Sequence, residues 1–221
     1  MAKTKYKVML GAGLLLIAAA LALAAYNVID AQRAARSAAQ ALEALSQTTA
    51  VSAAEPEEAS ADNAPAYLAD PEMPMPTVSF DGNDYIGRVD IPSLGLSLPV
   101  ISEWSYPRLK IAPCRYTGSA YLDNLIIAAH NYSSHFGNLN RLNTGDTVTF
   151  TDVDGNQFTY AVSLIEDLPG TAIEEMQAGE WDLTLFTCTL GGRSRVTVRC
   201  ERTADSWTQR PVKGPAADEH S

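Results

Sequence analysis

Cysteine is scarce in this chain: Cys114, Cys188 and Cys200 are the three cysteines among 221 residues. So few thiols, so widely spaced, exclude a disulfide scaffold and a four-thiolate zinc site. Basic residues are also outnumbered, with 16 against 26 acidic ones and a formal net charge of −10. Because phosphate recognition needs a basic face, this balance argues against nucleic acid as a partner.

The positive charge that the chain does carry is concentrated near its N-terminus. Residues 1–36 contain five basic residues and one acidic residue, whereas the remaining 185 residues contain 11 basic and 25 acidic ones. Between Lys7 and Asp30 lie 22 uncharged residues, mostly Leu and Ala. As a helix this segment is about 33 Å long, enough to cross a bilayer core of about 30 Å. The preceding lysines predict a cytoplasmic N-terminus and an extracellular remainder.

The same apolar segment has a second interpretation as a cleaved signal peptide. The tripeptide at residues 22–24, Ala-Leu-Ala, resembles a small-residue cleavage site. However, the apolar run is longer than the roughly 7–15 residues of a signal-peptide core, and an alanine-rich helical pattern continues to about Ser46. These observations favour an uncleaved, single-pass membrane anchor, which together with its cytoplasmic tip occupies residues 1–36.

The composition changes twice after the anchor. Residues 37–79 contain seven acidic residues, no Lys or Arg and five prolines, which predicts an extended extracellular stalk. Residues 80–205 are the single predicted folded domain. Residues 206–221 are predicted to be a polar tail.

Within the folded domain the hydrophobic pattern is that of β-strands. Short alternating or apolar runs are separated by Gly, Pro, Asn and Asp turn signals, which predicts a mostly β fold, either a closed barrel or a sandwich. Short helices fit only residues 134–142 and 171–178. The predicted strands are residues 85–91, 96–101, 124–129, 147–150, 157–162, 183–187 and 196–200.

An acidic cluster at Asp152, Asp154 and Asn156 invites comparison with calcium-binding loops. An EF-hand loop spreads its ligands over 12 residues, ends in a glutamate and is flanked by helices. Here predicted strands flank the cluster, and Asp-Gly is a strong hairpin signal. We therefore interpret it as a hairpin turn.

Three side chains of suitable chemistry come at the ends of predicted strands. His130 directly follows the apolar run 125–129, Cys188 follows 183–187, and Arg195 precedes 196–200. If the last two runs form a hairpin, Arg195 lies beside the thiol and can bind a carbonyl oxygen as negative charge develops on it. A neighbouring imidazole can favour the thiolate and deliver a proton to a leaving amine. This set predicts a thiol acyl-transfer site.

The other cysteines and the second histidine of the domain receive structural interpretations. Cys114 and Cys200 are expected to be small buried hydrophobic residues, and His135, on a polar loop, is expected at the surface. A zinc site formed by His130, His135 and Cys188 has no recognisable ligand spacing. We therefore expect neither a metal nor another cofactor.

Several segments resemble sortases. The run Leu183-Thr184-Leu185-Phe186-Thr187-Cys188 resembles the TLxTC signature of that family, and Arg195 heads the following hydrophobic strand. The strand before His130 and the opening strand at residues 86–94 are similar to their sortase counterparts, and all four segments occur in the family's order. The resemblance covers residues 85–202.

The resemblance implies an eight-stranded sortase-type β-barrel with short helices, preceded by an N-terminal transmembrane helix, on the outer face of a Gram-positive membrane. Its substrates would be surface proteins with a C-terminal LPxTG-like sorting signal. Its acceptor would be an amino group of a cell wall precursor or of a pilin. Cys188 would attack the threonine carbonyl to form a thioacyl-enzyme, His130 would act as general acid and base, and Arg195 would stabilise the oxyanion.

The resemblance also assigns substrate contacts to Asn131, Thr187 and Arg193. Arg193 is the rival of Arg195 for the catalytic role, but its distance from the hydrophobic strand favours Arg195, and Arg199 lies too deep in that strand. The loop after His130 favours a class B-like sortase, and class D remains open. Two other functions also remain open: a secreted cysteine endopeptidase and a non-catalytic barrel that binds wall peptides.

Overall fold

The computed structural model describes residues 2–54, 64–178, 181–189 and 191–205. Within these ranges the α-helices are α1 (Ala2–Ala54), α2 (Tyr106–Leu109) and α3 (Ile173–Gln177), and single 3-10 turns occur at Ala66–Leu68, Pro92–Leu94, Ala120–Leu122 and Leu139–Arg141. The strands are β1 (Val78–Phe80), β2 (Asn83–Ile91), β3 (Leu96–Ile101), β4 (Cys114–Thr117), β5 (Leu125–Ala129), β6 (Thr147–Asp152), β7 (Gln157–Pro169), β8 (Leu183–Cys188) and β9 (Ser194–Asp205).

Eight of these strands close into a barrel. Their order around it is β2-β3-β4-β5-β8-β9-β7-β6, and β6 returns to pair with β2. β1 adds a short ninth strand to the N-terminal end of β2. The pairs β3–β4 and β5–β8 are parallel and the others are antiparallel. The predicted eight-stranded barrel is confirmed.

The interior of the barrel follows from the alternation of side chains along each strand. On the three neighbouring strands β5, β8 and β9, the fully buried residues Ile127, Leu185 and Val198 are register partners and belong to the main core cluster. The residues next to them along the chain point outward, because successive side chains of a strand alternate between its faces. The outer face of these three strands carries the site described below.

Helix α1 has two parts that differ in exposure. No residue in the most apolar window of its first part is buried, and the helix is long and apolar enough to cross a membrane, with a mean hydropathy of 2.2 in that window. Its second part packs on the barrel through the buried residues Ala34, Ala38, Ala41 and Leu45. Their spacing of three or four residues places them on one helix face, and the small alanine side chains let the helix approach the strands closely.

This arrangement differs from the extended stalk predicted for residues 37–79. The helix continues to Ala54, because the alanine-rich sequence has high helix propensity and its apolar stripe is covered by the barrel. After residues 55–63, which lie outside the described residues, Tyr67 and Met75 are buried in the main core, and Tyr67 stacks on Tyr121 with ring centroids 4.6 Å apart. Residues 64–79 are therefore part of the folded unit. The predicted tail, 206–221, lies outside the described residues.

The turn at Asp152 is the predicted hairpin, joining β6 to β7. The Asp152 carboxylate is buried and accepts hydrogen bonds from the Asn156 backbone N–H at 2.8 Å and side-chain amide at 2.9 Å. It also accepts a hydrogen bond from the Tyr121 hydroxyl at 2.8 Å. Its oxygens therefore hold the turn together. Of the two predicted short helices, residues 171–178 contain α3, whereas 134–142 form only a looped segment with one 3-10 turn.

Candidate active site

The register of three strands brings His130, Cys188 and Arg195 to one rim of the barrel. Cys188 ends β8 and is the direct antiparallel partner of Arg195 in β9. On its other side β8 runs parallel to β5, with Thr187 opposite Ala129, so His130 directly follows the last register pair beside Cys188. Directly opposed residues project to the same face of a sheet. The thiol therefore lies on the outer face between the imidazole and the guanidinium.

The three cysteines differ in accessibility. Cys188 is exposed, whereas Cys114 and Cys200 are completely buried, as predicted for small hydrophobic residues. Burial raises the pKa of Cys114 to about 12 and that of Cys200 to about 12. Because the thiolate is the nucleophilic form, Cys188 is the thiol among the three that can react with a molecule from solvent.

Arg195 is oriented along the outer face of the sheet. Its guanidinium carbon lies 5.8 Å from the ring centroid of Phe186, within the range of a cation–π contact. Among the described residues no carboxylate forms an ion pair with Arg195. Its N–H donors are therefore available to an oxygen that develops negative charge next to Cys188.

The loop after β5 fixes the position of His130. The backbone N–H of Phe136 donates to the carbonyl oxygen of His130 at 3.3 Å, which folds the loop back on itself. The imidazole stacks on the ring of Tyr132, with centroids 4.6 Å apart and planes at 20°. Gly137 permits this fold, since a Cβ there would lie 2.5 Å from the carbonyl oxygen of Asn131. Tyr132 was not predicted to belong to the site.

His135 is buried, and the prediction of a surface histidine is wrong. Its side chain is fully covered by α1 and the loop, an effect of tertiary packing that the polar local sequence does not reveal. Burial lowers the pKa of His135 to about 4, with a further contribution from nearby His130 and an opposing one from the backbone of Ala34. Within the described ranges no three His, Cys, Asp or Glu side chains converge on a possible metal position.

The three residues predicted to contact substrate occupy different positions. Thr187 faces the interior: it is buried, and its hydroxyl donates to the carbonyl oxygen of Ala129 at 2.9 Å. This contact joins β8 to β5 next to the site, and the side chain of Thr187 points to the face of the sheet opposite that of Cys188. Its substrate-binding role stays a prediction. Asn131 is half-buried in the histidine loop, and Arg193 is exposed in the turn before β9.

An apolar floor extends from the site along the outer face of β5 and β8. It consists of the buried side chains of Ile126, Ala128 and Phe186, which Met176 of α3 covers. Tyr116 meets the Phe186 ring edge-on at 5.3 Å between centroids. At the end of this floor away from Cys188 lies an open cavity of about 260 Å³ that Ile126 also lines.

Arg199 holds α3 over this floor on the outer face of the sheet, in a role that the sequence did not reveal. Its buried guanidinium forms an ion pair with Glu166 at 3.0 Å and donates to the Thr184 hydroxyl at 3.1 Å. It also donates to the carbonyl oxygens of Met176 at 3.0 Å and Glu175 at 2.6 Å. These bonds attach α3 to the sheet. Arg199 is therefore structural, in agreement with its exclusion from the catalytic role.

A thiol, an imidazole and a guanidinium on the rim of a closed barrel define a centre suited to acyl transfer. A model of the sortase domain matches residues 89–203 of the chain, which is more than half of its 221 residues. The chain therefore belongs to the sortase family, as the sequence motifs predicted. The class B-like or class D assignment stays a prediction.

Individual relatives are distant. Sortase A of Bacillus anthracis is 28% identical over 116 residues, which are 50% of this chain and 55% of that protein. The chain thus spans about half the length of this curated relative. A sortase C structure from Clostridium perfringens, solved with the C-terminal cell wall sorting motif, is 25% identical to this chain. The match covers 55% of this chain and 72% of the sortase C chain, with a TM-score of 0.49. The sortase D5 transpeptidase from Clostridium perfringens is 22% identical, and the match covers 55% of this chain and 81% of the sortase D5 chain, with a TM-score of 0.49.

Proposed function

We propose that the chain is a membrane-anchored cysteine transpeptidase that cleaves a C-terminal LPxTG-like sorting signal and transfers the protein to an amino group. The observation that carries this proposal is the placement of Cys188 between His130, which directly follows β5, and Arg195 on β9. A nucleophile, a proton carrier and a fixed cation on one exposed rim are the groups that acyl transfer through a thioester requires.

The proposed reaction has two halves. The Cys188 thiolate attacks the carbonyl carbon of the signal's threonine, and Arg195 donates hydrogen bonds to the resulting oxyanion. The Thr–Gly bond then breaks, protonated His130 gives its proton to the departing amine, and a thioester remains on Cys188. In the second half an acceptor amine attacks the thioester, His130 takes a proton from it, and a new amide forms as the Cys188 thiolate leaves.

The apolar floor supports an extended peptide as the substrate. Thr184 lines the cavity at its far end and precedes Cys188 by four residues along β8, which corresponds to about 13 Å in a strand. The threonine and the leucine of an LPxTG signal are three residues apart, which is about 10 Å in an extended peptide, so with the threonine at Cys188 the leucine comes close to this cavity. A leucine side chain suits the apolar part of this cavity, which Ile126 and Trp181 line.

The N-terminal helix supports the proposed location. A single helix of this length and hydropathy suits a single-pass anchor, and Lys3, Lys5 and Lys7 before it favour a cytoplasmic N-terminus. The catalytic barrel would then lie outside a Gram-positive cell, with surface proteins and an amine of a cell wall precursor or a pilin as its partners.

The proposal is tested by product analysis with the full chain in detergent micelles. A peptide that contains Leu-Pro-Glu-Thr-Gly is incubated with and without triglycine, and the products are identified by mass spectrometry. A transpeptidase gives cleavage after threonine and, with triglycine present, a threonine–triglycine product. Cleavage with hydrolysis alone, even at saturating amine, supports a secreted endopeptidase instead. Binding without turnover supports the non-catalytic barrel.

A further inference from the structure

Helix α1 makes a specific polar contact with the histidine loop. The Tyr132 hydroxyl donates a hydrogen bond to Oδ2 of Asp30 at 2.5 Å, across 102 residues of sequence. Asp30 is the first charged residue after the apolar part of the helix, and both side chains are half-buried. Burial, together with this hydrogen bond, raises the pKa of Tyr132. The phenol therefore stays protonated and serves as a donor to the carboxylate throughout the physiological pH range.

Tyr132 connects this contact to His130. The two rings are stacked, with centroids 4.6 Å apart and planes within 20° of each other. Stacking alone leaves a phenol ring free to slide or tilt, whereas one directional hydrogen bond at its far end fixes its position. A histidine in this role must point a ring nitrogen toward both the thiol and the departing amine. Because the imidazole stacks on the Tyr132 ring, the plane of that ring determines the plane of the imidazole.

Asp30 is itself held in place by the docking of the helix. The buried stripe begins at Ala34, one turn after Asp30, and continues through Ala38 and Ala41 to Leu45. Leu45 lies about 22 Å from Asp30 along the helix axis. The first buried residue, Ala34, also lies against His135 of the histidine loop. The carboxylate is thus presented by a rigid, packed element and not by a mobile linker.

We infer that Asp30 and Tyr132 are positioning residues for the reaction and that the docked part of helix α1 belongs to the catalytic unit. The Asp30 carboxylate fixes the Tyr132 ring, and the ring fixes the His130 imidazole beside Cys188. This inference rests on the proposed function, since it requires His130 to carry the proton. It also places the catalytic rim next to the end of the proposed membrane span, because Asp30 is the first charged residue after that span.

The test compares variants of the full chain in detergent micelles, with the LPETG peptide and triglycine as substrates. Asp30→Ala and Tyr132→Phe should each lower kcat about tenfold and leave KM within about twofold, because a small misplacement of a reacting group costs rate and not binding. Asp30→Asn, whose amide oxygen can still accept the hydrogen bond, should recover part of the loss. The double variant Asp30→Ala/Tyr132→Phe should be no slower than either single variant.

The matched control is Glu43→Ala, which removes an exposed carboxylate from the same helix and should leave kcat unchanged. Equal kcat values for Asp30→Ala and Glu43→Ala would overturn the inference. It would also be overturned if the two single losses of kcat multiplied in the double variant, or if each loss of kcat equalled the fraction of unfolded protein at the assay temperature. Cys188→Ala is assayed in parallel. Turnover by Cys188→Ala would refute the proposed function itself, whereas a dead Cys188→Ala beside a fully active Asp30→Ala would refute only the inference.

Discussion

Cys188 and Arg195 lie directly opposite each other in the antiparallel pair β8–β9, so that one hairpin presents both the thiol and the cation. The loop between them can vary in shape without separating them, since the strand register fixes their spacing. Arg193, the alternative cation, lies two residues further out in the exposed turn. This relationship favours Arg195 over Arg193 for the proposed oxyanion role.

The assignment predicts that Arg195→Ala and Arg195→Lys both lower kcat/KM by about 10²–10³, the usual cost of one lost oxyanion donor. Lysine keeps the charge but lacks the planar pair of donors. Arg193→Ala is the control and should be much milder. Steady-state kinetics with the LPETG peptide measures the effect, and circular dichroism checks folding. A nearly normal Arg195→Lys enzyme would show that charge alone suffices, and a dead Arg193→Ala beside an active Arg195→Ala would reverse the assignment.

A second prediction concerns the buried guanidinium of Arg199. Arg199→Met should lower the free energy of unfolding by about 2–4 kcal/mol, because the substitution removes four hydrogen bonds and leaves buried carbonyl groups unpaired. Arg88→Met, which breaks the more exposed ion pair with Asp90, should cost less than about 1 kcal/mol. Urea denaturation followed by tryptophan fluorescence compares the two. Equal losses would show that Arg199 does not hold α3 to the sheet.

The docked helix predicts that two truncations behave differently. A chain that starts at residue 28 keeps the buried stripe from Ala34 to Leu45 and should be stable without detergent. A chain that starts at residue 47 uncovers the barrel residues Tyr85 and Ile101, which pack with Ala41 and Leu45, and should lose about 2–4 kcal/mol of stability from apolar exposure. Thermal unfolding measures the difference. Equal melting temperatures would contradict the docking of α1 on the barrel.

A fourth prediction is a pH dependence of stability caused by His135. Its pKa is about 4 in the folded protein, below the ordinary value of about 6.5. Between about pH 6.5 and pH 4 the unfolded chain therefore binds a proton at His135 that the folded protein does not bind. The free energy of unfolding falls by up to about 3 kcal/mol as the pH is lowered through this range. His135→Leu should flatten this part of the stability curve. If the curves of the two proteins stay parallel between pH 7 and 4, the neutral buried histidine is refuted.

Much of the fold, and the residues that the candidate site brings together, could be predicted from local sequence patterns. Strands such as β5 and β8 are short apolar runs between turn signals, and their last residues mark the rim at which His130 and Cys188 emerge. The motif did not reveal on which face of β8 each side chain lies: Thr187, one residue before Cys188, has its side chain buried on the barrel side. The four-residue strand β4 is too short for its pattern to be recognised.

The features that escaped prediction depend on contacts between distant parts of the chain. Ala34, Ala38 and Ala41 are ordinary helix-forming residues in sequence, and only the barrel surface against them makes them a buried stripe. The burial of His135 and the bond from Tyr132 to Asp30 follow from the same docking. The local sequence pattern does not indicate these two contacts, because the partners of His135 and Tyr132 are about 100 residues away along the chain.

The central claim is that Cys188 forms a thioester with the threonine of a sorting signal. The most direct measurement is the mass of the intact chain after brief incubation with the LPETG peptide and an acid quench, followed by peptide mapping. The account predicts an adduct with the mass of the peptide up to threonine, located on Cys188, absent from Cys188→Ala and unaffected by Cys114→Ala or Cys200→Ala. A peptide cleaved with no such adduct at any time, or an adduct on Cys114 or Cys200, would contradict it.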